Sequence, residues 1–141
     1  MDHSEDLKLS NQLCFPLYAL SKEIINQYRP FLEAIDLTYP QYLVMLVLWE
    51  NDGLTVGQIG EKVSLDSGTL TPLLKRLELK GIISRHRSIE DERVVLISLT
   101  DHGKVLKSKA CTIPQQMHEK INLTEEEIQV LKSIICKIKQ S

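Results

Sequence analysis

Apolar positions along this chain follow two different periods. From Leu13 to Ile35, the residues Leu17, Leu20, Ile24, Tyr28, Phe31 and Ile35 recur at steps of three and four, which predicts one long helix with an apolar face. The run "YLVMLVLW" (Tyr42–Trp49) is apolar nearly all round and predicts a short helix in a central position. Thr55–Val63 reads as a short helix, and Asp66 to about Lys80 as another, with Gly81 as its stop. The period then changes. Ile82 and Ile83, and Val94 to Ile97 beyond the charged tip "RHRSIEDER", read as two short strands. Two further helices are expected, the first using Leu106, Ala110, Ile113 and Met117, the second Ile128, Leu131, Ile135 and Ile138.

Punctuation supports these boundaries. "TYPQ" (Thr38–Gln41), "TVGQ" (Thr55–Gln58) and "TEEE" (Thr124–Glu127) carry the spacing of a capping box, in which a threonine side chain and the residue three on satisfy each other's backbone amides. Asp66 and Thr100 stand where caps are needed for the helices that follow them. The fold class expected is therefore mainly α with a small β-hairpin wing, a winged helix-turn-helix carrying extra helices at both ends. The chain reads as one domain over 1–141, in which 38–100 form the reading head. The flanking segments 1–37 and 101–141 exceed what so small a head needs for its core and read as a dimerisation region.

Charge changes the picture only locally. The net charge is −2, so the chain as a whole is no polycation. Between Lys75 and Arg87, however, Lys75, Arg76, Lys80, Arg85 and Arg87 stand against Glu78 alone. At the start of the same predicted helix lie Ser67, Gly68, Thr69 and Thr71, small enough to approach base edges and phosphates closely. Arg93 ends the hairpin tip, where it can enter a minor groove. Double-stranded DNA is the partner this arrangement suits. A solvated charged surface is the alternative, since Glu90, Asp91 and Glu92 beside Arg93 can pair locally.

Other chemistry is sparse. No apolar stretch can span a bilayer and the acidic N-terminus lacks the features of a signal peptide, so no membrane partner and a cytoplasmic location are expected. Cys14, Cys111 and Cys136 form no CxxC pair, and His3, His86, His102 and His118 show no ligand spacing; neither metal nor cofactor is expected. A lone cysteine such as Cys14 is more often a small buried hydrophobe than a reactive group.

"NQLCFPLY", "LTYPQYLVMLVLWE", "LDSGTLTPLLKRLE" and "RSIEDERVVLISLT" together resemble the MarR family, and within it the organic hydroperoxide resistance regulators. The resemblance runs from Leu9 to Pro114. It implies a homodimeric repressor on a palindromic operator, not an enzyme, with Cys14 as the redox-sensing thiol. Tyr18, Tyr28 and Tyr39 match the tyrosines that surround that sulfur, Asp91 and Arg93 the wing motif, and Asp66–Lys80 the recognition helix. An organic hydroperoxide and a low-molecular-weight thiol are the implied effectors.

Helix geometry constrains this implication. At about 100° per residue, Tyr18 and Tyr28 each fall about 40° from Cys14, on opposite sides. Tyr18, one turn away, can reach the sulfur. Tyr28 lies roughly 21 Å along the axis, so it can only serve the sulfur of a second subunit. Pro16 leaves two options: a helix that begins at Cys14, or a bend there. Two other readings remain open: a repressor released by a small aromatic ligand, and a thiol peroxidase. Cys111 or Cys136 as a resolving thiol is the alternative to the one-cysteine route.

Overall fold

The computed structural model describes residues 2–140, which divide into two compact units, one up to Ala110 and one from Cys111. The first unit opens with two 3-10 turns, Ser4–Leu7 and Leu9–Asn11. It continues through α1 (Cys14–Glu33), α2 (Tyr39–Glu50), β1 (Leu54–Thr55), α3 (Val56–Val63), α4 (Ser67–Leu79), β2 (Ile83–Arg87), β3 (Val95–Leu99) and α5 (Asp101–Ala110). The second unit holds α6 (Ile113–Ile121) and α7 (Glu125–Lys139).

Local sequence accounts for most helix ends. Thr38, Thr55 and Thr124 each close a full capping box, with Gln41, Gln58 and Glu127 respectively. Thr100 accepts from the Gly103 amide at 3.1 Å and so caps α5. Asp66 sits at the N-cap of α4 in extended conformation. No capping bond of full geometry closes there, but the Thr69 hydroxyl and, to a lesser degree, its amide hold the Asp66 carboxyl below the ordinary range. Gly81 takes φ +76°, the left-handed value that ends a helix without a Cβ clash.

The core of the first unit lies between α2, α3, α4 and the sheet. Val44, Met45 and Leu48 of α2, Ile59 of α3, Leu70, Leu74 and Leu77 of α4, Ile83 and Ile97 are all fully buried. The apolar spacing of α4 puts one stripe inward and leaves Ser67, Gly68, Thr69, Lys75 and Arg76 exposed. The sheet is antiparallel in the order β1–β3–β2, with Ile83 opposite Leu99 and Arg87 opposite Val95. α1 differs from the rest. Only Leu32 near its C-terminal end is buried, and every residue from Leu13 to Glu23 is exposed in the single chain.

One expectation needs correction, and two are completed by the structure. The helix drawn through Leu106, Ala110, Ile113 and Met117 is two helices, α5 and α6, separated at Cys111 and Thr112. Pro114 has no N–H to return to the Ala110 carbonyl, so a continuous helix would lose a bond and meet a ring clash there. The hairpin is one part of a three-stranded sheet, because Leu54 and Thr55 pair with Ile97 and Leu96. A two-residue strand is too short to leave a periodic signal. Finally, α1 begins at Cys14, which places Pro16 in the first turn, where its missing N–H costs nothing. That settles the choice between a late start and a bend. Pro30 is the proline that lies well inside α1.

Candidate functional site

Cys14 is the first residue of α1 and is exposed, so the buried-hydrophobe reading does not describe it in the single chain. Its helix starts without a side-chain cap, since Leu13 already has helical backbone angles and no capping group. Around Cys14, Leu13, Phe15, Leu17 and Leu20 are exposed apolar side chains. Tyr18, one turn on, is also exposed, and its ring carries the Lys22 ammonium 4.5 Å from the centroid. Lys22 was not singled out by sequence; its i,i+4 spacing from Tyr18 is the signal that was available.

The other three tyrosines form a separate cluster. Tyr28 near the end of α1 lies 4.9 Å, centroid to centroid, from Tyr39 at the start of α2, and 5.8 Å from Tyr42. Tyr39 and Tyr42 are 6.4 Å apart. All three ring pairs are tilted, an arrangement aromatic quadrupoles favour. Burial raises the phenol pKa of all three further above the ordinary 10.0, to about 12 for Tyr42; each is a hydrogen-bond donor at neutral pH, as an unshifted phenol also is. The fold thus brings Tyr28 and Tyr39 together, adds Tyr42, and leaves Cys14 and Tyr18 at the far end of α1. Beside the cluster lies a shallow cavity of about 270 Å³, lined by Ile25, Arg29, Leu32, Leu37, Tyr39 and Pro40 among others.

The expected DNA-facing residues separate into two groups. Ser67, Gly68, Thr69, Lys75 and Arg76 stand exposed on α4, with Thr71 partly covered among them. On the hairpin the cations are already engaged. The Arg85 guanidinium donates to Glu78 at 3.3 Å, and the Arg85 amide donates to the same carboxylate at 3.2 Å. Arg87 donates to the Glu92 carbonyl at 2.8 Å. At the tip, Asp91 accepts from the Arg93 amide at 3.1 Å and its guanidinium at 3.2 Å. That pairing holds the Asp91 carboxyl below the ordinary range. Arg93 itself remains 90% exposed. Asp91 therefore sets the direction of Arg93 without covering it, while Arg85 is drawn back against α4. Charge counting along the sequence did not separate these two cases, because the Glu78 partner of Arg85 lies on another element.

No helix among the described residues is long and apolar enough to cross a membrane.

Comparison with known proteins supplies the remaining part. The family model described as "Transcriptional regulator SarA/Rot" matches residues 26–110. The organic hydroperoxide resistance transcriptional regulator of Bacillus subtilis is 53% identical over 131 residues, which cover 93% of this chain and 89% of that protein. Reduced AbfR bound to DNA is similar over 99% of this chain and 95% of that one, at 35% identity and TM-score 0.82. The overoxidized form of AbfR, also bound to DNA, aligns over 99% and 98% at 36% identity and TM-score 0.79. A mutant MarR from E. coli, complexed with operator DNA, aligns over 89% and 92% at 26% identity and TM-score 0.82. A three-stranded winged head, a recognition-type helix with a free basic stripe, and end-to-end similarity to these regulators place the chain in the MarR family of winged-helix transcriptional regulators, in the branch of the organic hydroperoxide resistance regulators.

Proposed function

We propose that two copies of this chain form a repressor that binds a palindromic DNA operator and leaves it when Cys14 is oxidised by an organic hydroperoxide. The observation that carries this reading is the split site. Cys14 and Tyr18 lie open at one end of α1, and the donor cluster of Tyr28, Tyr39 and Tyr42 lies at the other, roughly 21 Å away along the axis. One chain cannot join them. A second α1 running antiparallel joins both halves twice. The exposed apolar face around Cys14, and the exposed stripe of Val130, Leu131, Ile134, Ile135 and Ile138 on α7, supply surface for such pairing.

The chemistry follows from the parts. The Cys14 sulfur attacks the distal peroxide oxygen. An S–O bond forms, the O–O bond breaks, sulfur is oxidised to sulfenic acid and the peroxide leaves as an alcohol. A small cellular thiol then condenses with the sulfenic acid, forming a disulfide and releasing water. An apolar surround of Phe15, Leu17 and Leu20 favours a carbon-rich hydroperoxide over hydrogen peroxide. The phenols, protonated at neutral pH, donate to the reduced sulfur; the bulk of a mixed disulfide displaces them. Because AbfR is found on DNA in its overoxidized form as well as its reduced form, we assign release here to the bulky disulfide and not to the compact anionic acids.

On DNA, each α4 lies in a major groove, with half-sites about 34 Å apart, and each Arg93 reaches the minor groove beside it. Cys14→Ser should bind the operator as the reduced protein does and stay bound after cumene hydroperoxide and a small thiol are added. Release of that variant, followed by fluorescence anisotropy, would remove Cys14 from the sensing role. The cavity beside Tyr39, with Arg29 at its edge, favours one second reading, release by a small aromatic acid. Ligand-driven release that persists in Cys14→Ser would establish it.

A further inference from the structure

We infer that Lys80 is a positioning residue that couples the tyrosine cluster to the recognition helix. The inference rests on the reading that modification of Cys14 weakens DNA binding, and it names how the signal crosses the first unit. Lys80 is the C-cap residue of α4 and belongs by sequence to the basic cluster, but its ammonium is engaged with the segment between α1 and α2. It donates to the Asp36 carbonyl at 2.5 Å and to Gln41 Oε1 at 3.0 Å, with the Asp36 carboxylate 3.7 Å away. Only 29% of its side chain is exposed.

Both acceptors belong to the joint between α1 and α2. Asp36 takes a left-handed φ of +55° there, a turn conformation that aspartate tolerates better than most side chains. Gln41 is 4% exposed, and its Oε1 is shared between Lys80 and the Thr38 amide, the second half of the α2 capping box. Tyr39 and Tyr42 flank Gln41 on the same first turns of α2, and Tyr28 packs on Tyr39. Moving these rings shifts the joint and the start of α2. The Lys80 ammonium then carries that shift to the C-terminal end of α4, forty or so residues away in sequence. Two hydrogen bonds from one ammonium, the one to Gln41 partly shielded from water, tie the end of α4 to this joint.

The test uses the full-length protein and a DNA duplex selected from a random pool by the reduced wild type. The readout is the ratio of Kd with Cys14 as a mixed disulfide to Kd with Cys14 reduced. Lys80→Met should lower that ratio on the order of fivefold, a shift within the usual range of coupling between sites. Its rate of Cys14 oxidation and its salt dependence of DNA binding should stay those of wild type. Lys80→Arg, which keeps donors at that reach, should restore the ratio. Lys80→Gln, too short to span the joint, makes the same prediction as Lys80→Met if the methionine variant fails to melt cooperatively. An unchanged ratio in the variants overturns the inference. So does equal weakening of both forms, which marks a merely structural role; if the salt slope also flattens by about one ion, it marks a phosphate contact. A wild-type ratio of one would instead remove the reading on which the inference rests.

Discussion

Tyr42 shows how much a single side chain's surroundings decide. It is 2% exposed, and burial, reinforced by the neighbouring phenols Tyr28 and Tyr39, pushes its pKa from 10.0 to about 12. The folded state holds the proton more tightly than the unfolded state, so the stability tied to this group is complete below pH 10 and drains away as pH rises toward 12. Thermal melts across that window should fall more steeply for the wild type than for Tyr42→Phe; parallel curves would show that the phenol does not carry the dependence. The sequence marks Tyr42 only as an apolar position at helical spacing. Nothing local shows that two other phenols converge on it. Arg85 makes the same point for charge: one cation of a basic run is held by Glu78 while Lys75 and Arg76 stay exposed.

Among elements, caps were legible and joints were not. The three capping boxes are complete within four residues each, so sequence spacing is enough to find them. The packing of α5 is the opposite case. Trp49 donates its indole N–H to the Gly103 carbonyl at 2.9 Å, and the Thr100 amide donates to the Ile82 carbonyl at 3.1 Å. These bonds pull α5 so close that a Cβ on Gly103 would collide with the Ile82 carbonyl oxygen. Gly103→Ala should therefore cost about 1–3 kcal/mol by overpacking, read as a lower denaturant midpoint. A helical glycine usually gains stability on becoming alanine, so an unchanged or higher midpoint would show that α5 can move away freely.

At the scale of the whole molecule, the exposed apolar stripe on α7 and the bare first half of α1 define the pairing we propose, with 1–37 and 101–141 as its dimerisation segments. Leu131→Lys combined with Ile135→Lys should give a monomer by sedimentation, and with it the loss of tight operator binding. A dimer that persists would place the interface elsewhere. DNA electrostatics test the reading head independently. Arg76→Ala should reduce the slope of log Kd against log salt by about one unit, whereas Arg85→Ala, whose cation is held by Glu78, should change it less. Equal losses would mean that Arg85 leaves Glu78 when DNA arrives.

Helical and strand periods, caps, the Gly81 stop and the order of helices and hairpin are written in residues a few positions apart, and the sequence alone determined them because backbone hydrogen bonding and side-chain periodicity act over that range. The grouping of Tyr28 with Tyr39 and Tyr42, the engagement of Lys80 with the segment between α1 and α2, the pairing of Leu54 with Ile97 and the approach of Gly103 to Ile82 were decided by tertiary structure. Each joins different elements of the chain. Such contacts gain their energy from burial and hydrogen bonding only after the chain has folded, so no local pattern needs to record them.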